Sequence, residues 1–300
     1  MREARERNLR VTIQGARTGV AAGAVPFGGI VLSMTRMNRI LGLRHENNEC
    51  FARVQAGVRL SELRHWLAVK HSGFFFPPDP TETTASLGGM NATNASGACS
   101  YQYGPMRNYV NALEVVLADG KIFHHIRRPS SFVPRLEIKN AAGFYMRDDA
   151  DELDLFIGSG GQLGVITELE LKLLPRPKIE WGLVCFFANE NDAIDVVEKT
   201  RGERTFLSVH SSLKNGQECP FSLIAAIEFF DRGCLALLRE DVGRGGAFWP
   251  RIETEWDCAV YFEIHAPDEE TAIETVIAAA RMNVTRSRRR RIGRSLSRST

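Results

Sequence analysis

The sequence predicts an α+β fold arranged in two domains, and three patterns carry that prediction. Apolar residues alternate over Leu163–Leu173, which is typical of a half-buried strand. Two short apolar runs flank an Asp-Gly pair over Leu113–His124, which indicates a hairpin. Apolar residues recur at helical spacing over Ser61–His71, which indicates an amphipathic helix. Strands and helices are therefore mixed within the first domain, and Pro175 and Pro177 mark its end.

The N-terminal domain is predicted to span residues 1–177 and to begin with the end of a charged helix at 3–9. The segment Pro77–Pro80 is predicted to be irregular, because proline has no backbone N–H to donate and restricts its neighbours. Short strands rich in apolar or β-branched residues are predicted at Val11–Ile13, Ile30–Met34 and Phe51–Gln55.

The C-terminal domain is predicted to span residues 178–284 and to alternate strands with helices, which favours an α+β layer. Its strands are predicted at Leu183–Phe187, Leu223–Phe229 and Ala259–Ile264. Its helices are predicted at 191–198, 234–239 and 269–282. Residues 285–300 form an Arg/Ser-rich tail without apolar periodicity, which is expected to be disordered.

The charge of the chain is concentrated in that tail. The formal net charge is +2, but the last twenty residues carry eight arginines and no acidic residue. Subtracting those eight charges leaves −6 on residues 1–280, so the folded body is not expected to bind nucleic acid. The tail is either an interaction arm for nucleic acid or acidic lipid, or a stretch with no selected role. Its position within a predicted domain favours the second interpretation.

The composition also bears on compartment and metal binding. No uninterrupted apolar run approaches the roughly 18 residues of a transmembrane helix, and the charged first ten residues do not resemble a secretory signal. Six cysteines are scattered without a C-x-x-C pair, which predicts reduced thiols in a cytoplasmic protein and no metal site.

Three glycine-rich segments are candidates for ligand binding. Gly15, Gly19 and Gly23 can direct several backbone N–H groups at one anion, or can form a flexible turn. Residues 84–97 are small enough for a flat ligand to lie against their backbone, or they form a disordered loop. Residues 158–167 place glycines before a strand, which by itself favours an ordinary β-turn. The spacing of Gly15, Gly19 and Gly23 is neither that of a Rossmann motif nor that of a Walker motif, and the third segment leads into a strand where a Rossmann motif needs a helix.

The order of these motifs resembles the flavin-binding domain of the vanillyl-alcohol-oxidase/PCMH-type family, most closely its glycolate oxidase large subunit and D-lactate dehydrogenase branch. The resemblance covers roughly 170 residues and rests on several motifs in the same order. They are Gly15–Gly19, Gly23–Pro26, Ser33–Ile40, Phe75–Pro80, Gly88–Met90, Thr93–Gly97, Tyr103-Gly104, Leu113–Gly120, Lys139–Gly143 and Leu163–Glu168.

The resemblance implies a two-subdomain FAD-binding domain followed by a partial ferredoxin-like substrate domain. It implies non-covalent FAD and oxidation of a small 2-hydroxy acid of the glycolate or D-lactate type, with an electron-acceptor protein or quinone as possible partner. The implied cofactor-binding residues are Gly15, Arg17, Thr18, Gly19, Gly23, Ala24, Pro78, Asp79, Ser86, Leu87, Gly88, Gly89, Asn94, Gly97, Gly164, Val165 and Ile166.

The chain also departs from the family pattern. The family's first strand and helix are expected to be missing, Gly160 stands where relatives usually have Glu, and Arg17 stands where many have Gly. No His-x-His-x-x-x-Asp segment is present, so no catalytic base is assigned. The alternative is therefore a non-catalytic FAD-binding remnant or subunit that lacks the substrate-site motif.

Overall fold

The computed structural model of the chain describes residues 1–128, 143–145, 151–209, 223–243 and 252–283. It divides into two compact units, Met1–Arg176 and Pro177–Thr300, one residue before the boundary that the sequence predicts. Both contain helices and strands, which confirms the α+β prediction. The tail at 285–300 and the motif residues 139–142 lie outside the described residues.

The N-terminal unit is built on two sheets. Its strands are β1 (Val11–Gln14), β2 (Ile30–Ser33), β3 (Ile40–Glu46), β4 (Glu49–Gln55), β5 (Phe74–Phe75), β6 (Val110–Val116), β7 (Ile122–Ile126) and β8 (Val165–Pro175). Its helices are α1 (Arg2–Glu6), α2 (Leu60–Lys70), α3 (Leu87–Ala92), α4 (Ser100–Tyr103) and α5 (Leu153–Phe156), with a 3-10 turn at Met106–Tyr109. Strands β1 and β2 pair in parallel, and the other strands form an antiparallel sheet in the order β3-β4-β8-β6-β7, with β5 paired to β8.

Strand β8 lies at the centre of the large sheet and shows why the alternating pattern was informative. Leu169, Leu171 and Leu173 are buried on one face. Burying each leucine stabilises the fold by about 1.5–3 kcal/mol. Glu168 and Glu170, which alternate with these leucines, point to the other face and form ion pairs with arginines of β3 and β4. The period of two along the strand thus separates a hydrophobic face from a charged one.

Helices α2 and α3 belong to the core of this unit. The apolar residues Leu60, Leu63 and Leu67 of α2 are buried, as the helical spacing predicts. The prediction of a loop over residues 84–97 is wrong for its central part, because Leu87–Ala92 is helical. Leu87 and Met90 lie one turn apart and are both buried, so two apolar anchors suffice to fold a short helix among small residues.

The C-terminal unit contains a three-stranded antiparallel sheet with helices between its strands. Its elements are β9 (Ile179–Phe187), α6 (Glu190–Val209), β10 (Ile224–Phe230), α7 (Arg232–Gly243), β11 (Cys258–Ala266) and α8 (Glu269–Asn283). The order β10-β11-β9 places β11 between the two strands that α6 connects, which is the split βαβ arrangement of ferredoxin-like domains. Helix α6 continues eleven residues beyond the predicted 191–198.

Candidate functional site

The first glycine-rich loop begins in close contact with the start of α3. A Cβ built at Gly15 would lie 2.1 Å from Ser86 Oγ, so the Ser86 side chain occupies the space that a side chain at position 15 would need. The backbone N–H of Ala16 donates to the same Ser86 oxygen at 3.3 Å. Two motifs separated by seventy residues are therefore neighbours, with Gly89 nearby and exposed.

The start of α3 is fixed to the sheet by backbone hydrogen bonds. Leu87 N–H donates to Val58 O and Gly88 N–H donates to Ala56 O, both at 2.8 Å. Ala56 N–H donates to the Thr167 carbonyl of β8 at 2.9 Å. A Cβ at Gly88 would lie 2.6 Å from Ala56 Cβ, so this close approach requires glycine.

The third glycine segment contacts the other end of α3. Gly158 N–H donates to Asn91 O at 2.9 Å, and Gly160 N–H donates to Ala92 O at 2.7 Å. A Cβ on Gly161 would lie 3.7 Å from Ile13 of β1. All three of these glycines have positive φ (83°, 65° and 75°), a region that other residues rarely adopt.

These contacts bring Gly15–Ala16, Ser86–Gly89 and Gly158–Gly161 together into one feature, which we call the glycine rim. Glycine at its close contacts lets separate main chains lie side by side, with Gly89 and Gly160 exposed to solvent.

The rest of the first loop extends away from the glycine rim. Gly19 and Gly23 are exposed, and a Cβ on either would have no atom within 4 Å among the described residues, its chain neighbours aside. Gln14 Nε2 donates to Ala24 O at 2.8 Å, which closes the loop onto β1. Arg17 is exposed with a φ of 63°, and Thr18 is half-buried. A left-handed arginine is uncommon, so this position suits glycine better.

Asp79 and its neighbours are fixed by contacts within the protein. Arg64 of α2 donates to Asp79 Oδ1 at 2.7 Å and to Pro78 O at 3.2 Å. The thiol of Cys99 lies 3.7 Å from Asp79 Oδ2. A Cβ on Gly97 would lie 1.6 Å from Asp79 O, so these two backbones are in direct contact. The Asp79 carboxylate therefore anchors the proline segment to α2.

The start of β8 presents backbone rather than side chains. A Cβ on Gly164 would lie 2.6 Å from Val115 Cγ1 and 2.9 Å from Val116 O, so β6 packs directly against it. The side chains of Val165 and Ile166 are buried in the core. A ligand at this end of β8 would meet main-chain groups, as the resemblance implies.

A buried ionic cluster supports the glycine rim, and the sequence did not predict it. Asp154 is fully buried in α5 and accepts hydrogen bonds from both Arg107 and Arg127. Asp151, 1% exposed, accepts from the backbone N–H of Arg128 and of Leu153. The sequence signal that could have indicated this cluster is the pair Asp151 and Asp154, three positions apart in a segment predicted only as the end of a helix.

The electrostatics of this unit favour ionised carboxylates. Burial acts to raise the pKa of Asp151, but hydrogen bonds from Arg128 and Leu153 and the nearby His125 hold it below its ordinary value. Burial likewise opposes ionisation of Glu170, whereas hydrogen bonds from Arg44 and Asn111 lower its pKa. The folded state therefore prefers both groups charged.

Acid is expected to destabilise the N-terminal unit through these two groups. Because their pKa values are lowered on folding, their contribution is fully present above the unfolded values of about 3.9 (Asp) and 4.3 (Glu). It is lost as pH falls through the lower folded values. Urea unfolding between pH 6 and pH 3 should show falling stability, with a shallower fall in Glu170→Gln. An identical pH dependence for that variant and the wild type would contradict the assignment to Glu170.

Comparison with known proteins shows which family and which relatives this chain is similar to. Residues 1–125 match the FAD binding domain family. Over 193 residues the chain is 40% identical to D-lactate dehydrogenase of Anaerostipes hadrus, covering 64% of this chain and 37% of the relative. Over 194 residues it is 36% identical to glycolate oxidase subunit GlcD of Bacillus subtilis (strain 168), with the same two shares. The chain thus spans little more than a third of the length of these relatives.

The likeness extends to solved structures. A structure of alkyldihydroxyacetonephosphate synthase superposes with a TM-score of 0.68 over 94% of this chain and 49% of that protein, at 17% identity. This similarity establishes the fold alone, and it agrees with the PCMH-type architecture expected from the sequence. Among the described residues, no helix is long and apolar enough to cross a membrane.

Proposed function

We propose, from the match of residues 1–125 to the FAD binding domain family, that the protein is an FAD-dependent oxidoreductase that oxidises a small 2-hydroxy acid. The relatives named D-lactate dehydrogenase and glycolate oxidase subunit support a substrate of the D-lactate or glycolate type. The observation that carries the proposal is the glycine rim, which brings separate family motifs into contact, with Gly89 and Gly160 exposed.

The residues of the glycine rim and its neighbours fit a dinucleotide. The exposed loop with Arg17, Thr18, Gly19, Gly23 and Ala24 would bind the pyrophosphate through backbone N–H groups and one positive charge. The remaining residues would line the ribityl and ring portions through the main chain. They are Gly15, Pro78, Asp79, Ser86, Leu87, Gly88, Gly89, Asn94, Gly97, Gly164, Val165 and Ile166.

The cofactor would supply the redox step. When bound, FAD accepts a hydride from the carbon that bears the substrate hydroxyl. The chain's own residues would bind, orient and shield the ring system. Residues 15–24, 78–97 and 158–166 contain no His, Cys or Tyr, which supports non-covalent attachment. Within the same proposal, a partner protein or quinone receives the electrons. The protein also works in the cytoplasm with its thiols reduced, which the six scattered cysteines without a C-x-x-C pair support.

Flavin reduction under anaerobic conditions tests the proposed function. The purified protein, reconstituted with FAD, should lose its oxidised-flavin absorption on addition of D-lactate or glycolate. L-Lactate is the matched control, since it differs from D-lactate only in configuration. Dithionite then shows that the bound flavin is reducible. Flavin that dithionite reduces and neither hydroxy acid reduces would overturn the proposal.

That outcome would favour a second candidate, an FAD-binding subunit that does not oxidise hydroxy acids by itself. The observation in its favour is that this sequence contains no His-x-His-x-x-x-Asp segment, the family's substrate-site motif. Under this alternative FAD binds, and hydroxy-acid oxidation requires a further polypeptide.

A further inference from the structure

We propose that Arg107 is a positioning residue for the cofactor site, because its guanidinium fixes the turn Gly158–Gly161 against α3. The inference rests on the proposed function only in that the glycine rim binds FAD. Arg107 lies in the 3-10 turn before β6, and the residue is 6% exposed. It belongs to none of the segments from which the sequence predicts cofactor contacts.

The guanidinium of Arg107 bonds to the main chain that leads directly into the turn Gly158–Gly161. Arg107 Nη1 donates to the Asp154 carbonyl at 2.8 Å and to Asp154 Oδ1 at 2.7 Å. Nη2 donates to the carbonyl of Ile157, the residue immediately before Gly158. The side chain therefore holds the main chain from the end of α5 to the first glycine of the turn.

The backbone of the same residue reaches the other side of the glycine rim. Arg107 N–H donates to Asn94 Oδ1 at 3.0 Å, just beyond the end of α3. A Cβ on Gly158 would lie 3.3 Å from Asn94 Cβ and 3.7 Å from Arg107 Nη2. One residue thus bonds to both segments whose relative placement defines this part of the rim.

The geometry requires arginine in particular. Two separate nitrogens of one planar group bond to two carbonyls and a carboxylate, a pattern that the single ammonium of lysine does not reproduce. The face of the guanidinium lies over the ring of Tyr145, with its central carbon 4.0 Å from the ring centroid. The Arg107 guanidinium is therefore held by hydrogen bonds in its plane and by the Tyr145 ring against its face.

Arg127 provides a matched control on the same carboxylate. Its Nη1 and Nη2 donate to Asp154 Oδ2 and Oδ1 at 3.1 and 3.0 Å, and its Nε donates to Val110 O. Loss of either arginine therefore removes one partner of Asp154. Only Arg107 also bonds to Ile157, so the two variants separate a general loss of stability from displacement of the turn.

The experiment measures FAD affinity of the apo protein by flavin fluorescence, beside the melting temperature, for Arg107→Gln, Arg107→Lys and Arg127→Gln. We expect the dissociation constant for FAD to rise at least tenfold in both Arg107 variants and less than threefold in Arg127→Gln. Hydrogen exchange over residues 157–166 should rise in the Arg107 variants alone. Lysine retains the charge, so Arg107→Lys decides the question if the glutamine variant does not fold.

Two results would overturn the inference. Equal changes in FAD affinity for Arg107→Lys and Arg127→Gln would show that Arg107 acts only through stability. Wild-type affinity in Arg107→Lys would show that the turn does not depend on it. Failure of the wild type to bind FAD would instead refute the proposed function, and this inference with it, so the two failures are distinguishable.

Discussion

Replacement of Asp154 by Asn is expected to lower the free energy of unfolding of the N-terminal unit by about 3–5 kcal/mol, the usual cost of breaking a buried ion pair. Asp154 is fully buried and is shared by Arg107 and Arg127, whose side chains are 7% and 12% exposed. Burial already lowers the pKa of Arg107, an effect that Asp154 opposes. The amide would leave two guanidinium groups without their counter-charge. Urea unfolding, followed by hydrogen exchange in β6 and β8, measures the change.

The matched control is Glu168→Gln, which breaks the ion pair between Glu168 of β8 and Arg53 of β4. Arg53, the partner of Glu168, is 56% exposed, so water can solvate its charge after the substitution. The expected loss is at most about 1 kcal/mol, as for other solvent-exposed pairs. A loss for Asp154→Asn no greater than for Glu168→Gln would show that the cluster around Asp154 is open to solvent.

The local elements of this fold were predictable because each has a short repeat in the sequence. The alternation over Leu163–Leu173 gave β8, and the spacing of apolar residues gave α2. The hairpin of β6 and β7 followed from an Asp-Gly pair between apolar runs, and the two strands pair from Ala112↔Ile126 to Val116↔Ile122. A side-chain period of two or 3.6 is a property of neighbouring residues, so it is visible before any tertiary contact forms.

The central part of the second glycine segment was mispredicted because its local signal is weak. Glycine and asparagine are poor helix formers, so the composition of residues 84–97 favours a loop. Helix α3 forms because Leu87 and Met90 are buried in the core, and tertiary packing outweighs intrinsic propensity. Strand β3 was likewise not predicted, although it pairs with β4 over most of its length.

The site depends on contacts that no local pattern contains. Gly15 and Ser86 are seventy-one residues apart, and their proximity was expected only through the family resemblance. The ion pair between Arg107 and Asp154, which are forty-seven residues apart, was not expected at all and is visible only in the structure. A buried arginine is indistinguishable in sequence from an exposed one, because burial is decided by the rest of the chain.

Replacement of Gly97 by Ala is expected to be among the most damaging single-methyl changes in the protein. The added Cβ would lie 1.6 Å from Asp79 O, 2.2 Å from Asp79 C and 2.9 Å from Pro80 N. These are main-chain atoms of a proline-flanked segment, so no side-chain rotation relieves the overlap. The φ of Gly97 lies outside the left-handed region, so the cost is steric and not conformational. We expect a loss of at least about 3 kcal/mol, the upper end for overpacking.

Gly73→Ala is the matched control, with the same added methyl group in the same unit. A Cβ there has no atom within 4 Å among the described residues beyond its chain neighbours, and φ is again outside the left-handed region. Its stability should match the wild type or exceed it slightly, because alanine restricts the unfolded chain. Relief of the overlap at Gly97 requires displacement of the Asp79–Pro80 backbone, so in Gly97→Ala the FAD affinity should fall as well. Wild-type melting of Gly97→Ala would mean that the backbones of Gly97 and Asp79 are not in contact.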